Sequence, residues 1–337
     1  MTDASLAAVR DTGALALATP IRHGGREADL STRVQVLAAL GQGCPSTAWI
    51  TATTAEAKIA VRAALSDKAE AEVFADPDAV MCASARPGRA EAVAGGLRIS
   101  GRWGYASGCE HATHSLLVAL IDGTTPVAAL VPATDLTVDR DWHVAGLSGS
   151  GSHTLVGNDV LVPDSHVLDI TRMTTGGNPD IAIAAGLFAT LLGATRGALD
   201  VVAAAIGNRP SPSAAYPDLP HVPGAQQSFA EATHRIDTAE QRLMRVAAAV
   251  DAVPPGESLT PLDRSRLRMD LLSATRECRH ALDDLLDLHG SSGFSATNPL
   301  QRFWRDVSIG SRHVQFASHA VTQDYGTLLL GLDPRTP

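Results

Sequence analysis

"GGLRISGRWGYASGCEHA", residues 95–112, opens on a Gly pair, alternates apolar and polar residues as far as Trp103, and stops at Ser107 and Gly108. A period of two closed by glycines predicts a strand entered and left by tight turns. The next runs share this texture: "HSLLVALIDG" (114–123), "TPVAALVP" (125–132) and "HTLVGNDVLVP" (153–163). Each is short, apolar or β-branched, and bounded by Gly, Pro, Asp or Asn. Residues from about 80 to 168 are therefore predicted to form an antiparallel sheet or small barrel.

On either side the period changes. Residues 30–75 read as helical, with Val34, Val36, Leu37 and Leu40 setting the pattern, a break at "GQGCPS" (41–46), and a second helix from near Thr47 to about Leu65. After Pro179 three long Ala/Leu-rich segments, 181–208, about 225–250 and 262–289, are separated by the loops "RPSPSAAYPDLPHVP" and "DAVPPGESLTP". A last helical stretch runs from about 300 to 330 with a break near Gly310. The segment 181–207 is apolar enough to suggest a membrane span, but Arg196 and Asp200 lie four apart on one helical face. A charge at a bilayer centre costs on the order of 3 kcal/mol, so a buried bundle helix is the better reading.

With 337 residues and a formal net charge of -9, the chain is large enough for two or three packed subdomains and lacks the cationic surface that nucleic acids and anionic membranes reward. Cys44, Cys82, Cys109 and Cys278 show no CxxC spacing, which excludes a zinc ribbon or a thioredoxin-type motif and suits reduced thiols in the cytoplasm. The first twenty residues carry Asp and Arg where a signal peptide needs an apolar run. His111 and His114, three apart on a predicted strand, point to opposite faces, and no carboxylate or Cys cluster completes a metal site. "GLSGSGSH" (146–153) looks like a dinucleotide-binding loop, yet a strand pattern follows it where a helix is required.

Three stretches, 95–112, "GLSGSGSHTLVGNDVLVPDSHV" (146–167) and "GSSGFSATNPLQRFWRDV" (290–307), carry a resemblance that covers nearly the whole chain. The sequence resembles the acyl-CoA dehydrogenase superfamily, and within it the group D two-component flavin-dependent monooxygenases. The resemblance implies an α+β fold of N-terminal helices (1–78, about one helix shorter than the family pattern), a central antiparallel β-domain (79–170) and a C-terminal four-helix bundle (171–337). It implies a homotetramer, or a dimer, with flavin between β-domain and bundle and its phosphate end shared with a neighbouring copy. Reduced FMN or FAD would come from a separate flavin reductase. With dioxygen it would form a C4a-(hydro)peroxyflavin that oxygenates a small organic substrate, in natural-product tailoring for instance. A flavin-dependent desaturase or dehydrogenase, and a non-catalytic descendant, stay open as alternatives.

Residue by residue, Ser107 matches the family Ser or Thr that accepts the flavin N5 hydrogen bond, with Trp103, Tyr105 and Ala106 beside the ring. Sheet packing is the other reading of Trp103 and Tyr105. Ser150, Gly151 and Ser152 match an extended segment lining the flavin, and Arg209, Ser291 and Ser292 match groups that reach the cofactor, its phosphates in the case of Arg209. Val314 falls where acyl-CoA dehydrogenases place a catalytic Glu, and valine cannot be a base. The adjacent His313 matches a monooxygenase His whose charge would stabilise oxygen reduction. On the substrate side stand Ser84, Trp49, Thr53 and Thr54, the threonines lying where relatives carry a His. Phenol deprotonation by a base at that place is therefore not expected.

Overall fold

The computed structural model describes residues 1–174 and 178–333. In chain order the helices α1 (Asp3–Thr12), α2 (Leu30–Gly43), α3 (Pro45–Ala64) and α4 (Asp67–Val73) come first. Seven strands follow: β1 (Val80–Val93), β2 (Gly96–Ala106), β3 (Ala112–Ile121), β4 (Thr125–Pro132), β5 (Thr137–Asp139), β6 (His153–Pro163) and β7 (Val167–Leu168). The helices α5 (Ile170–Thr174), α6 (Pro179–Ile206), α7 (Pro223–Asp251), α8 (Pro261–His289), α9 (Pro299–Gly310) and α10 (Ser318–Leu329) complete the chain. These elements form two compact units.

The first unit comprises Met1–Asp29, Trp49–Val144 and Ser148–Pro179 and is built on one sheet of order β5-β6-β2-β1-β3-β4-β7. The sheet is mixed, which corrects the expectation of a purely antiparallel one: β1 and β3 run parallel. Both β2 and β3 flank β1, so the chain reverses twice, at Gly95 and at 107–111, and β3 regains the direction of β1. Gly95 makes the first reversal with φ +82°, a backbone region that side chains disfavour. One sheet face packs Ile99, Trp103, Leu117, Val131 and Leu155 together. The other receives α3 and α4 through Val61, Val73 and Phe74 against Met81, Leu116 and Leu130.

Lys58 on α3 is fully buried, a feature nothing in the sequence marks. Its ammonium donates to Leu15 O (2.9 Å), Thr19 Oγ1 (3.0 Å) and Pro77 O (2.6 Å). Three N–H bonds meet three oxygens, which ties the N-terminal segment to α3, while burial pushes its pKa down to about 8.

The second unit comprises Leu30–Ala48, Ala145–Leu147 and Asp180–Pro337. α6 is long and apolar enough to cross a membrane, but 89% of its most apolar window is buried, as a bundle helix requires. Glycines explain how closely α2 and α6 approach: a Cβ at Gly193 would fall 2.1 Å from Ala38 O, and one at Gly41 2.5 Å from Thr190 O. The three charged residues on α6 are all engaged, Asp180 with Arg264, Arg196 with Glu240 and Asp200 with Gln42. Thr260 caps α8 by accepting from Asp263 N, and Asn298 caps α9 by accepting from Leu300 N.

Candidate active site

The turn that ends β2 meets the segment before β6. Ser107 and Ser152, 45 positions apart, place their hydroxyls 2.7 Å from each other, and Ser152 lies 2.8 Å from Ser150 Oγ. The backbone supports the same contact, since Gly108 N donates to Ser150 O at 2.8 Å. Gly151 makes this possible with φ +50°, and all three serines are buried, Ser107 keeping 6% of its surface. A hydroxyl both donates and accepts, so a row of three runs in either direction and leaves its Ser107 end able to take or give a proton.

Beside this row lies a cavity of about 420 Å³. Its wall includes Ser152, Gly104, Tyr105, Trp142, Arg86 and Asp141. Tyr105 is 62% exposed and sits at φ +62°, a strained conformation for a non-glycine residue. Its ring meets Trp142 edge-on at 5.9 Å, and the Arg86 guanidinium lies 4.9 Å over its face. Thr154 donates to Asp141 from N (2.9 Å) and Oγ1 (2.6 Å), and these bonds hold the Asp141 carboxyl below the usual carboxylate range. Ser84 Oγ donates to Gly104 O at 2.8 Å and fixes the wall from behind.

In the second unit Arg209, past the end of α6, reaches the end of α8. Its Nη1 lies 3.4 Å from Ser292 Oγ and 3.2 Å from His289 Nδ1. Asn298 Nδ2 lies 3.2 Å from His289 Nε2 and 3.3 Å from Ser292 O. The cluster is rich in donors and carries a guanidinium, the composition that suits a phosphate. Elsewhere in this unit Arg305 Nη1 donates to Ala145 O (2.5 Å) and Leu147 N donates to Asp306 Oδ1 (2.5 Å). The two adjacent residues thus clamp the three-residue stretch that leads into "SGSGS".

The model of the family described as "Acyl-CoA dehydrogenase, C-terminal domain" matches residues 185–318. The chain is 32% identical over 360 residues to the oxygenase component of an FADH2-dependent resorcinol hydroxylase from Rhizobium sp. (strain MTP-10005), covering 98% of this chain and 88% of that protein. It belongs to the acyl-CoA dehydrogenase superfamily, among the oxygenase components of two-component flavin monooxygenases. To the oxygenase subunit HsaA of the flavin-dependent monooxygenase from Rhodococcus jostii (strain RHA1) it is 30% identical, over 98% of this chain and 92% of that one. The solved structure of XiaF from Streptomyces sp., in complex with FADH2 and glycerol, superposes with a TM-score of 0.94 at 31% identity, covering 100% of this chain and 90% of that one.

Several residues named as site candidates from the sequence do not line this cavity. Trp103 is a core residue: it is fully buried, its Nε1 donates to Val118 O (2.8 Å), and Gly88 and Gly101 leave the slot that its indole fills. The Ala106 side chain is buried in the same cluster. Thr54 is fully buried and donates to Met81 O, while Thr53 bonds back to Trp49 O and Ile50 O of its own helix. Trp49 is buried, and Ser84 lies in strand β1. None of these residues contributes to the cavity wall.

Other candidates are brought near one another. Ser107, Ser150, Gly151 and Ser152 come together, and so do Arg209 and Ser292, with Ser291 alongside in the short turn Ser291–Phe294. His313 lies off the helix, capping the turn Val314–Phe316 by accepting from Gln315 N, because α9 stops at Gly310. It is half-buried, and burial lowers its pKa, which favours the neutral imidazole over the charged one expected. Val314 is 73% exposed. Arg86, Trp142, His289 and Asn298 went unnoticed in the sequence, where only the proximity of Asn298 to "GSSG" was a signal. Burial raises the thiols of Cys82 and Cys278 to about 12 and Cys109 to about 11, which leaves them unreactive. Among the described residues no group of three His, Cys, Asp or Glu could hold a metal ion.

Proposed function

We propose that this chain is the oxygenase component of a two-component system that hydroxylates a small aromatic substrate, with reduced FAD, or FMN, delivered by a separate flavin reductase. The observation that carries the reading is the meeting of Ser107 with Ser150 and Ser152 beside a cavity edged by Tyr105 and Trp142. Relatives matched over 88% and 90% of their own length support it, one named as an FADH2-dependent resorcinol hydroxylase component and one solved with FADH2. The groups present fit a flavin: hydroxyls and aromatic edges suit the ring, and the donor-rich Arg209 cluster suits its phosphates.

When bound, reduced flavin supplies the two electrons that let dioxygen give one atom to the substrate and the other to water. The chain's own residues hold and protect it. The serine row would accept a ring N–H, and the Ser84 bond to Gly104 keeps the strand end in register. Tyr105 and Trp142 exclude water from the ring edge. His313, whose neutral form burial favours, would be the group to take up a proton as negative charge develops on the bound cofactor. Proton abstraction of the acyl-CoA dehydrogenase type has no base at residue 314, which is valine.

We place the protein in the cytoplasm as a homotetramer in which the Arg209 cluster of one copy serves a neighbour's cofactor. Four free thiols agree with a reducing compartment. The test is anaerobic titration with reduced FAD followed by oxygen and resorcinol-like substrates. Saturable binding with oxygen incorporated from dioxygen is expected, and failure to bind at micromolar concentrations would reject the reading.

A further inference from the structure

Strand β1 falls out of step with β3 beside the cavity. Ser84 pairs with Leu117 and Gly88 with Ala119, so Ala85, Arg86 and Pro87 stand opposite the single residue Val118. A bulge of this kind bends the strand and re-aims the side chain at its crest. Its neighbours fit it: Pro87 favours an extended Arg86, and the Val118 carbonyl opposite the bulge is taken by Trp103 Nε1 at 2.8 Å. Arg86 N donates to Ser84 Oγ at 3.4 Å, and the Arg86 side chain crosses Gly104, where a Cβ would lie 3.8 Å from its Cδ.

The crest brings a cation into the cavity wall without a counter-ion. Arg102, the other arginine of the wall, pairs with Asp139 at 2.5 Å, and Asp141 turns its two oxygens to Thr154 N and Oγ1. Arg86 pairs with no carboxylate among the described residues, and the Tyr105 ring lies 4.9 Å beneath its guanidinium. A ring under the guanidinium covers one face and leaves the N–H edge open, a flat fork that matches two oxygens of a phosphate or a carboxylate. Tyr105 holds this place at φ +62°, a conformation that persists only where its surroundings fix it.

We propose that Arg86 is the anion-holding residue of this cavity, its fork closing on an oxyanion of the molecule bound there, either a phosphate of the reduced flavin or an acidic substituent of the aromatic substrate. This rests on the reading of the cavity as the place of flavin and substrate. The bulge sets the cation in the wall, Tyr105 orders it, and the ligand supplies the charge that the chain does not.

The test is anaerobic titration of the full chain, parent and Arg86→Gln, with reduced FAD, reduced FMN and reduced riboflavin, which has no phosphate. Protein saturated with reduced FAD is then titrated with 3-hydroxybenzoate and with resorcinol, which carries a hydroxyl in place of the carboxylate. Arg86→Gln is expected to raise the Kd of the charged member of one pair about tenfold, the effect of one hydrogen bond between charged groups, and to leave its neutral counterpart within about twofold. A loss for FAD and FMN but not riboflavin assigns Arg86 to a flavin phosphate. A loss for 3-hydroxybenzoate but not resorcinol assigns it to the substrate. Arg86→Lys, which keeps the charge and lacks the flat fork, should fall between the parent and the Gln variant.

Arg86 is exposed, so both variants should melt with the parent. Equal losses for charged and neutral members would mean that Arg86 acts by packing on Tyr105, and unchanged Kd values for FAD, FMN and 3-hydroxybenzoate would mean that no oxyanion reaches it; either result overturns the proposal. A parent chain that binds none of the three flavins overturns the reading of the cavity itself, and the role of Arg86 with it.

Discussion

Ser107 and Ser152 share one hydrogen bond, yet they face different tasks, since Ser152 lines the cavity and Ser107 stands at the strand end behind it. Ser152→Ala breaks the row in the middle and strands both neighbours, so it is expected to weaken reduced-flavin binding more than Ser107→Ala or Ser150→Ala alone. A three-way comparison of Kd values in which Ser152→Ala is the mildest would contradict the row. The histidines give a second prediction at this scale. Burial lowers the pKa of His114, His289 and His313 from the ordinary 6.5. Between the folded and unfolded values the unfolded chain binds more protons, so their contribution to stability is complete above pH 6.5 and is lost as pH falls through the lowered values. Melting temperature followed from pH 8 to pH 5 should begin to drop below about 6.5, and His313→Gln should flatten part of the decline. A flat profile in the parent would contradict the burial of these rings.

At the level of elements, the junction between 145 and 147 is held by α9. A Cβ on Gly146 would lie 2.2 Å from Arg305 O, so the stretch fits only as glycine, and Asp306 anchors it through Leu147 N. Asp306→Ala would remove the carboxylate that accepts from the buried Leu147 N–H, and a loss of about 1–3 kcal/mol in chemical denaturation is expected. Stability within 0.5 kcal/mol of the parent, about what a surface change gives, would show that the clamp is not structural. The elements themselves were largely legible. Periodicity placed α6, α7 and α8 within two or three residues, and turn residues bounded β2, β3, β4 and β6. What escaped was whatever depends on distant partners: the parallel pairing of β1 with β3, the burial of Lys58, and the displacement of His313 from a helix. In the candidate site the serines were readable because small residues flank glycine turns. Trp103 stayed open between two readings because an aromatic on a strand looks the same whether it faces a ligand or a glycine-lined slot. His289 carried no mark, since its contacts come from neighbours at 209, 292 and 298.

For the whole molecule, exposed Leu329, Leu330 and Leu332 form an apolar end to the last helix that agrees with assembly into larger units. Light scattering is expected to return a mass four times that of the 35.0 kDa chain, and a monomer at micromolar concentration would contradict the tetramer. Monooxygenase chemistry then rests on the chain's ability to keep reduced flavin and oxygen together long enough to meet a substrate. That claim is tested most directly by loading the protein anaerobically with reduced FAD, mixing it with oxygen without substrate, and timing the release of hydrogen peroxide. The account predicts release at least about tenfold slower than from free reduced FAD, with Ser107→Ala restoring about a tenfold loss of that protection, the worth of one buried hydrogen bond at the ring. Release as fast as from free flavin, or a Ser107→Ala trace that overlays the parent, would contradict it.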